Sequence, residues 1–179
     1  MRCILCRSQA EDHDHLFFQC RLSAQIWQMV KWKGNFSTPQ LQWSSLIEWI
    51  SREWKHKDLT MLSRKLCLAV TVYNIWHERN FRTHNNGHCA IQIKEKIIDH
   101  VKQKMSMLKG VQDTIQNRRT SMKWNLPSSI FEKWCGCGWG GVLFVQCTLS
   151  LGGSLCMCCI LFISNIYKIT YQKKLKKDP

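Results

Sequence analysis

Residues 2–27 read RCILCRSQAEDHDHLFFQCRLSAQIW, and this stretch decides how the chain begins to fold. Three cysteines and a histidine stand in it with the spacing Cys3-x2-Cys6-x8-His15-x4-Cys20. Two cysteines separated by two residues can bind one ion from a single tight turn, and the later histidine and cysteine can complete the set. Three thiolates and one imidazole are the ligands of a closed, tetrahedral zinc site. The spacing therefore predicts one structural Zn²⁺ ion held by these four residues.

A second histidine, His13, competes with His15 for this position. We favour His15 because it leads directly into Leu16, Phe17 and Phe18, whose burial would fix the imidazole. The alternative is that the cysteines are small buried side chains and that the histidine lies on the surface. A catalytic zinc is disfavoured, because four protein ligands leave no open position for water.

The whole chain is strongly basic. Its 179 residues contain 26 Lys and Arg against 12 Asp and Glu, a formal charge of +14, which favours phosphates or anionic lipids as partners. The length suits one domain, or a small domain with an appendage. The 11 cysteines would suit a secreted disulfide scaffold, but residues 1–20 lack the pattern of a signal peptide. We therefore expect reduced thiols.

Apolar residues at three- and four-residue steps predict a helical bundle after the metal motif. The first expected helix follows Cys20, with Ser23 as its cap, and is broken at 31–37. The second runs from Pro39 to near Lys57, the third from Asp58 to about Phe81, and the fourth from Ile91 to Leu108. The predicted buried stripe of the third is Leu59, Leu62, Leu66, Ala69, Tyr73 and Trp76, and that of the fourth is Ile91, Glu95, Ile98, Val101, Met105 and Leu108. The fold class is thus mainly α, with a small zinc-stabilised motif leading into the bundle.

Shifts in composition divide the chain into segments. We predict a zinc-binding motif at 1–30, a helical region at 31–110, a basic linker at 111–134, an apolar segment at 135–167 and a basic tail at 168–179. The linker is polar and basic, so we expect it to contain at most one short helix and to pack poorly.

Two stretches resemble a known family. The run Cys3-Ile-Leu-Cys6, Glu11, Asp14-His15-Leu16-Phe17-Phe18-Gln19-Cys20, Ser23 and Ile26-Trp27 closely resembles the zinc-binding domain that follows the reverse transcriptase in plant non-LTR retrotransposons. Ile75-Trp76-His77-Glu78-Arg79-Asn80 is similar to a signature of the helical stretch that trails this domain, so the resemblance covers about residues 2–82 and, more loosely, extends to Leu126.

The resemblance implies a zinc-binding module from a transposon polyprotein, expected to bind nucleic acid. The family's ligands correspond to Cys3, Cys6, His15 and Cys20. In the family a further stretch of chain precedes the first cysteine pair, whereas Met1 stands two residues before Cys3 here. We therefore interpret the module as an N-terminally truncated copy, and a transposon fragment without function is an open alternative.

Basic and aromatic residues suggest how nucleic acid would bind. The candidate phosphate-binding residues are Lys31, Lys33, Arg52, Lys55, Lys57, Arg64 and Lys65. Solvent-exposed helix faces have the same composition, so these residues are either a phosphate-binding patch or an ordinary solvated surface. Tryptophans recur at helical spacing at Trp27, Trp49, Trp54 and Trp76, which favours core packing over base stacking.

Catalytic motifs are absent from the sequence. Polymerase chemistry requires clustered carboxylates that hold metal ions. No two acidic residues after Asp14 are close enough in sequence to suggest a metal-binding pair. No phosphate-binding glycine loop or nucleophile elbow occurs. We therefore expect a protein that is not an enzyme and has no small-molecule substrate.

The C-terminal apolar segment suggests another function. No Asp, Glu, Lys, Arg or His occurs in 135–167, and within it residues 142–163 would form roughly 33 Å of helix, close to the thickness of a bilayer core. The alternative to a nucleic-acid-binding module is thus a single-pass membrane protein whose basic tail, with Lys173 and Lys174, stays in the cytosol. Otherwise we expect the protein in the nucleus or cytoplasm.

We predict that residues 142–163 insert into a bilayer as one helix, because a helix satisfies its backbone hydrogen bonds within the segment. The expressed protein should then stay in the membrane pellet during alkaline carbonate extraction. Release into the soluble fraction would eliminate the spanning helix.

Overall fold

A computed structural model of the chain describes residues 1–36, 42–53, 58–84 and 87–132. These residues are mainly helical, which confirms the fold class at that level. The helices are α1 (Arg21–Gly34), α2 (Trp43–Glu53), α3 (Leu59–Phe81), α4 (Ala90–Ser106) and α5 (Ile115–Trp124), with a π-helical turn at His15–Gln19 and a 3-10 turn at Ser128–Ile130. Within the described ranges, β pairing is limited to two isolated bridges, Arg2 with Ala10 and Val111 with Phe131.

Helix α1 begins directly at the last cysteine of the motif. Its N-cap is Cys20, whereas the hydroxyl of Ser23 donates to the carbonyl of Leu16 at 2.6 Å, so the prediction that Ser23 caps this helix was wrong. The helix also continues through the predicted break to Gly34. It ends at Asn35, whose left-handed φ of 51° is tolerated by asparagine at this position.

Helices α1, α3 and α4 pack against one another and form the core. Asp58 caps α3 as predicted, since its carboxylate accepts a hydrogen bond from the backbone N–H of Met61 at 2.6 Å. The largest fully buried side chains of the three helices are Ile26, Trp27, Val30, Leu68, Val72, Ile75, Ile97, Val101 and Met105. The core therefore depends on the same helix that starts at the metal motif.

The predicted buried faces are correct only in part. Tyr73 of α3 is 38% exposed and Ile91 of α4 is 58% exposed, although both were expected in the core. In α4 the buried side chains are Ile93, Ile97, Val101 and Met105, a strict four-residue repeat. In α3 buried positions occur on several sides, because α1, α4, α5 and the π-helical turn all contact it.

The predicted linker is instead part of the folded unit up to residue 132. Helix α5 packs against α3, and Trp124 and Ile130 are 2% and 0% exposed. Asn117 joins the two helices, because its side-chain carbonyl accepts from the N–H of Leu59 at 3.1 Å. The expectation that the linker packs poorly was therefore wrong for residues 111–132, because two large apolar side chains are buried there and Asn117 bonds to the start of α3.

Glu78 of α3 is only 3% exposed, which is rare for a glutamate unless its charge is paired. One carboxylate oxygen accepts from Arg82 at 2.8 Å and from the backbone N–H of His88 at 2.7 Å. The other lies 2.7 Å from the ring Nδ1 of His88, whose Nε2 faces the ammonium group of Lys96 at 3.1 Å. A lysine can only donate, so Nδ1 carries the imidazole proton and donates to Glu78. Glu78 thus ties the end of α3 to the start of α4.

The predicted membrane segment, 142–163, lies outside the described residues, as do its flanks at 135–141 and 164–179. No helix in the part of the chain that the structure describes is long and apolar enough to cross a membrane.

Replacing Glu78 with glutamine should make stability less dependent on pH. Burial tends to raise the pKa of Glu78, but hydrogen bonds from Arg82 and His88 outweigh burial and lower this pKa overall. A lowered folded-state pKa adds stability that is present above the unfolded value, about 4.3, and is lost as pH falls through the folded value. We expect Glu78→Gln to lower the unfolding free energy by about 2 kcal/mol at pH 7, with the difference from wild type narrowing below about pH 4.

The measurement is urea unfolding of the full-length protein followed by circular dichroism. Glu95→Gln, which removes an exposed carboxylate from α4, serves as the control and should change stability little. The lowered pKa of Glu78 would be contradicted if the difference in unfolding free energy between Glu78→Gln and wild type stayed the same from pH 7 to pH 3.

Candidate metal centre

The first cysteine pair lies in a tight turn closed by backbone hydrogen bonds. The N–H of Cys3 donates to the carbonyl of Gln9 at 2.8 Å, and the N–H of Arg7 donates to the carbonyl of Cys3 at 2.7 Å. Arg7 has a φ of 57°, the left-handed conformation that lets the chain reverse directly after Cys6. This reversal directs both cysteine side chains toward the same place.

The π-helical turn presents the second pair of candidate ligands. His15 opens the turn, and its backbone N–H is held by the carboxylate of Asp12 at 2.8 Å. Cys20 follows the turn and donates its N–H to the carbonyl of His15 at 2.6 Å. His15 and Cys20 are 3% and 0% exposed, so both side chains are directed into the protein.

The ligand atoms of Cys3, Cys6, His15 and Cys20 all lie within 4.8 Å of one another, close enough to hold a metal ion. The sulfurs of Cys3 and Cys20 are 4.0 Å apart, and the sulfur of Cys6 is 3.3 Å from Nε2 of His15. With a Zn–S bond of about 2.3 Å, two sulfurs of a tetrahedral site would be about 3.8 Å apart. The cluster therefore has the dimensions that such an ion requires.

Backbone N–H groups stabilise the negative charge of each cysteine sulfur. The sulfur of Cys3 accepts from the N–H groups of Leu5 and Cys6, and that of Cys20 accepts from those of Leu22 and Ser23 at the start of α1. Hydrogen bonds of this kind favour the thiolate, which is the form that binds metal.

The three thiols ionise differently. Burial raises the pKa of Cys3 to about 12 and also raises the pKa of Cys20. Burial opposes ionisation of Cys6 as well, but hydrogen bonds from the hydroxyl and N–H of Ser8, the N–H of Gln9 and His15 lower its pKa to about 5. The lowered pKa favours the thiolate of Cys6, whereas burial disfavours the thiolates of Cys3 and Cys20 unless a cation lies beside them.

Aromatic packing holds the turn that carries His15. The Nδ1 of His15 is buried without a hydrogen-bond partner among the described residues, whereas its Nε2 lies 3.3 Å from the sulfur of Cys6. Phe17 and Phe18 contact Trp43 at ring distances of 5.3 and 5.2 Å, and the indole N–H of Trp27 donates to the carbonyl of Phe17 at 2.7 Å. His13 is outside the four-residue cluster.

Two arginines of α3 hold the metal motif against the bundle. Arg79 forms an ion pair with Glu11 at 2.8 Å, and both side chains are largely buried. Arg82 donates to the carbonyl of Leu5 at 3.0 Å, inside the turn between the first two cysteines. Arg82 is in turn held by Glu78, so the ion pairs at the end of α3 reach the candidate metal site.

Some of the predicted basic residues converge on one groove. Lys31, Lys33 and Lys123 line a cavity of about 670 Å³ at the end of α1, together with Trp32, Asn35 and Phe36. Arg64 adjoins this groove, because its guanidinium group donates to the carbonyl of Asn35 at 3.0 Å. Lys123 was assigned to the linker from sequence, so its place in this groove was missed; no local signal links it to α1. We call this cavity the basic groove.

Two other predicted basic residues, Arg52 and Lys65, are described and do not line this groove. Arg52 is exposed on α2, Lys65 is half-buried on α3 and takes part in other interactions, and Lys55 and Lys57 lie outside the described residues. Of the four tryptophans expected in the core, Trp27 is buried, Trp49 and Trp76 are half-buried, and Trp54 lies outside the described ranges.

The four residues are close enough to hold a metal ion, and a site with four protein ligands is typical of a structural metal. Four protein ligands complete a tetrahedral shell, which leaves no position for a reacting water or substrate. No protein-family model matches this chain, and no curated protein or solved structure is significantly similar to it.

Proposed function

We propose that this chain is a non-enzymatic zinc-binding module, derived from a retroelement, that binds RNA or DNA through the nucleic-acid backbone. The observation that carries the proposal is the convergence of Cys3, Cys6, His15 and Cys20 within 4.8 Å. These residues lie in two separate turns, and an ion bound by all four would crosslink those turns and the start of α1.

Zinc fits this donor set better than other common ions. Three sulfurs and one imidazole suit a borderline-soft ion, whereas Mg²⁺ and Ca²⁺ prefer oxygen ligands. A zinc ion bound here would stabilise the fold, because the free energy of metal binding contributes to folding when the ligands are assembled only in the folded state.

Retroelement ancestry is supported by contacts between the two stretches that carry the resemblance. Glu11 belongs to the first stretch and Arg79 to the second, and the two side chains pair although 68 positions separate them. Contact between the two stretches in the fold would explain why they occur together although they lie far apart in sequence.

Charge supports a polyanionic partner. The net charge is +14, and Lys31, Lys33 and Lys123 line one groove in the described part of the chain. Lysines that neutralise phosphates release condensed counterions, which drives binding without sequence specificity. A sequence-tolerant interaction with RNA or DNA follows.

The full-length protein should contain one zinc ion per chain, bound by the four-residue cluster. Cys6→Ser should weaken zinc binding more than about 100-fold, because it removes a direct ligand, and should reduce helix content. Metal content measured by mass spectrometry, together with circular dichroism, tests both effects.

Cys89→Ser is the matched control. Cys89 is exposed outside the cluster and caps α4, a role that serine performs well, so this variant should keep its zinc. Purified protein without zinc, or a Cys6→Ser variant that binds zinc as tightly as wild type, would refute the metal site.

Nucleic-acid binding should be weak, sequence-tolerant and strongly dependent on salt. Fluorescence anisotropy with RNA and DNA of two unrelated sequences should give similar affinities, which fall steeply between about 50 and 200 mM salt. An affinity that does not change with salt, or no binding at low salt, would remove this part of the proposal.

A further inference from the structure

Trp32 differs from the other tryptophans in the described ranges because its side chain is 82% exposed. Trp27, Trp43 and Trp124 are at most 7% exposed, and the remaining two are half-buried. The indole of Trp32 makes no hydrogen bond or ring contact with the rest of the described chain. Trp32 therefore contributes little to the core, and a large exposed aromatic side chain is typical of a binding surface.

Two grooves meet at Trp32. On one side is the basic groove, with Lys31 and Lys123; on the other is an apolar groove of about 560 Å³ lined by Gln28, Met29, Lys94 and Ile98. Trp32 and Lys33 line both, and neither groove has an acidic side chain among its described lining residues. A ligand that filled both grooves would need a flat apolar part and a negative charge.

The lysines of the basic groove make different contacts. The ammonium group of Lys33 donates to the carbonyl of Lys123 at 3.0 Å and lies 5.3 Å from the ring centre of Trp124, so it joins α1 to α5. Lys31 and the ammonium group of Lys123 make no such bond to described residues. Both lysines line the basic groove, so we take them as the candidates for pairing with an anionic ligand.

A nucleotide in a single strand combines the two properties that the grooves require. Its base has a flat apolar face that stacks on an exposed aromatic ring, and its phosphates pair with nearby lysines. A duplex hides its base faces, and a lipid headgroup would leave the indole face without a stacking partner. We propose that Trp32 is a base-stacking residue for single-stranded nucleic acid and that Lys31 and Lys123 contact the phosphates beside the stacked base. This inference rests on the proposed nucleic-acid binding and adds the strand type and the residues.

The test uses the full-length, zinc-loaded protein and a labelled oligothymidine of about 15 nucleotides, with a duplex of the same length for comparison. The single strand should bind more tightly than the duplex. Trp32→Ala should weaken single-strand binding about tenfold, while Trp32→Phe should retain most of it. Met107→Ala, which removes an apolar side chain 63% exposed at the end of α4, should have no effect.

The salt dependence separates stacking from charge. Trp32→Ala should leave the slope of log affinity against log salt unchanged, whereas Lys31→Ala and Lys123→Ala should each reduce it by about 0.7. Lys104→Ala removes a charge from α4 about 15 Å along the helix from Lys94 and should leave the slope unchanged.

Each outcome decides one proposal. Absence of binding to either probe at low salt would overturn nucleic-acid binding and this inference with it. Binding that Trp32→Ala leaves intact, or equal affinity for duplex and single strand, would overturn the inference alone. If the protein bound anionic vesicles in a way that depended on Trp32 but did not bind the oligonucleotide, the surface would be assigned to lipid, and the inference would likewise be overturned. Zinc content and circular dichroism are measured for each variant, so that the affinities compared are those of folded proteins.

Discussion

The close approach of four ligand atoms is the constraint on which the N-terminal half of the structure depends. Three sulfurs and a ring nitrogen lie within 4.8 Å, and two of the sulfurs, those of Cys3 and Cys20, have a raised pKa because they are buried. Ionising them together without a cation would place like charges side by side in a poorly solvated space. A bound cation would remove this cost, and it would also crosslink the two turns.

The bundle provides a second restraint on the same motif. Arg79 and Arg82 lie almost one helical turn apart near the end of α3, and they hold Glu11 and the carbonyl of Leu5 respectively. Glu78 positions Arg82, so a buried carboxylate on α3 influences a turn more than 70 residues earlier. Metal ligation would fix the motif internally, and the arginines fix its orientation against α3. The two restraints act on different degrees of freedom.

Local signals in the sequence correctly predicted that Cys3, Cys6, His15 and Cys20 lie close together and that Asp58 caps α3, because spacing within a turn and a capping side chain depend on near neighbours. Long-range packing decided the features that were predicted wrongly. The buried face of α4 was misassigned at Ile91 because two apolar stripes compete and only contact with α1 and α3 selects one. Trp124 lies in a polar segment, and its burial depends on a partner helix that is distant in sequence.

Helix α1 connects the candidate metal site to the basic groove and also keeps them apart. Cys20 stands at its N-terminus and Lys31 in its last turn, so about 16 Å of helix separates them. This distance is far longer than a metal–ligand bond, so an ion at the cluster would not touch a ligand in the groove. Its effect would be on the position of α1: an ion that fixes Cys20 fixes where the helix starts, and the core residues Ile26 and Val30 carry that orientation to Trp32. In the proposed function, a bound metal would thus act as a structural support for the proposed nucleic-acid surface at the opposite end of the helix.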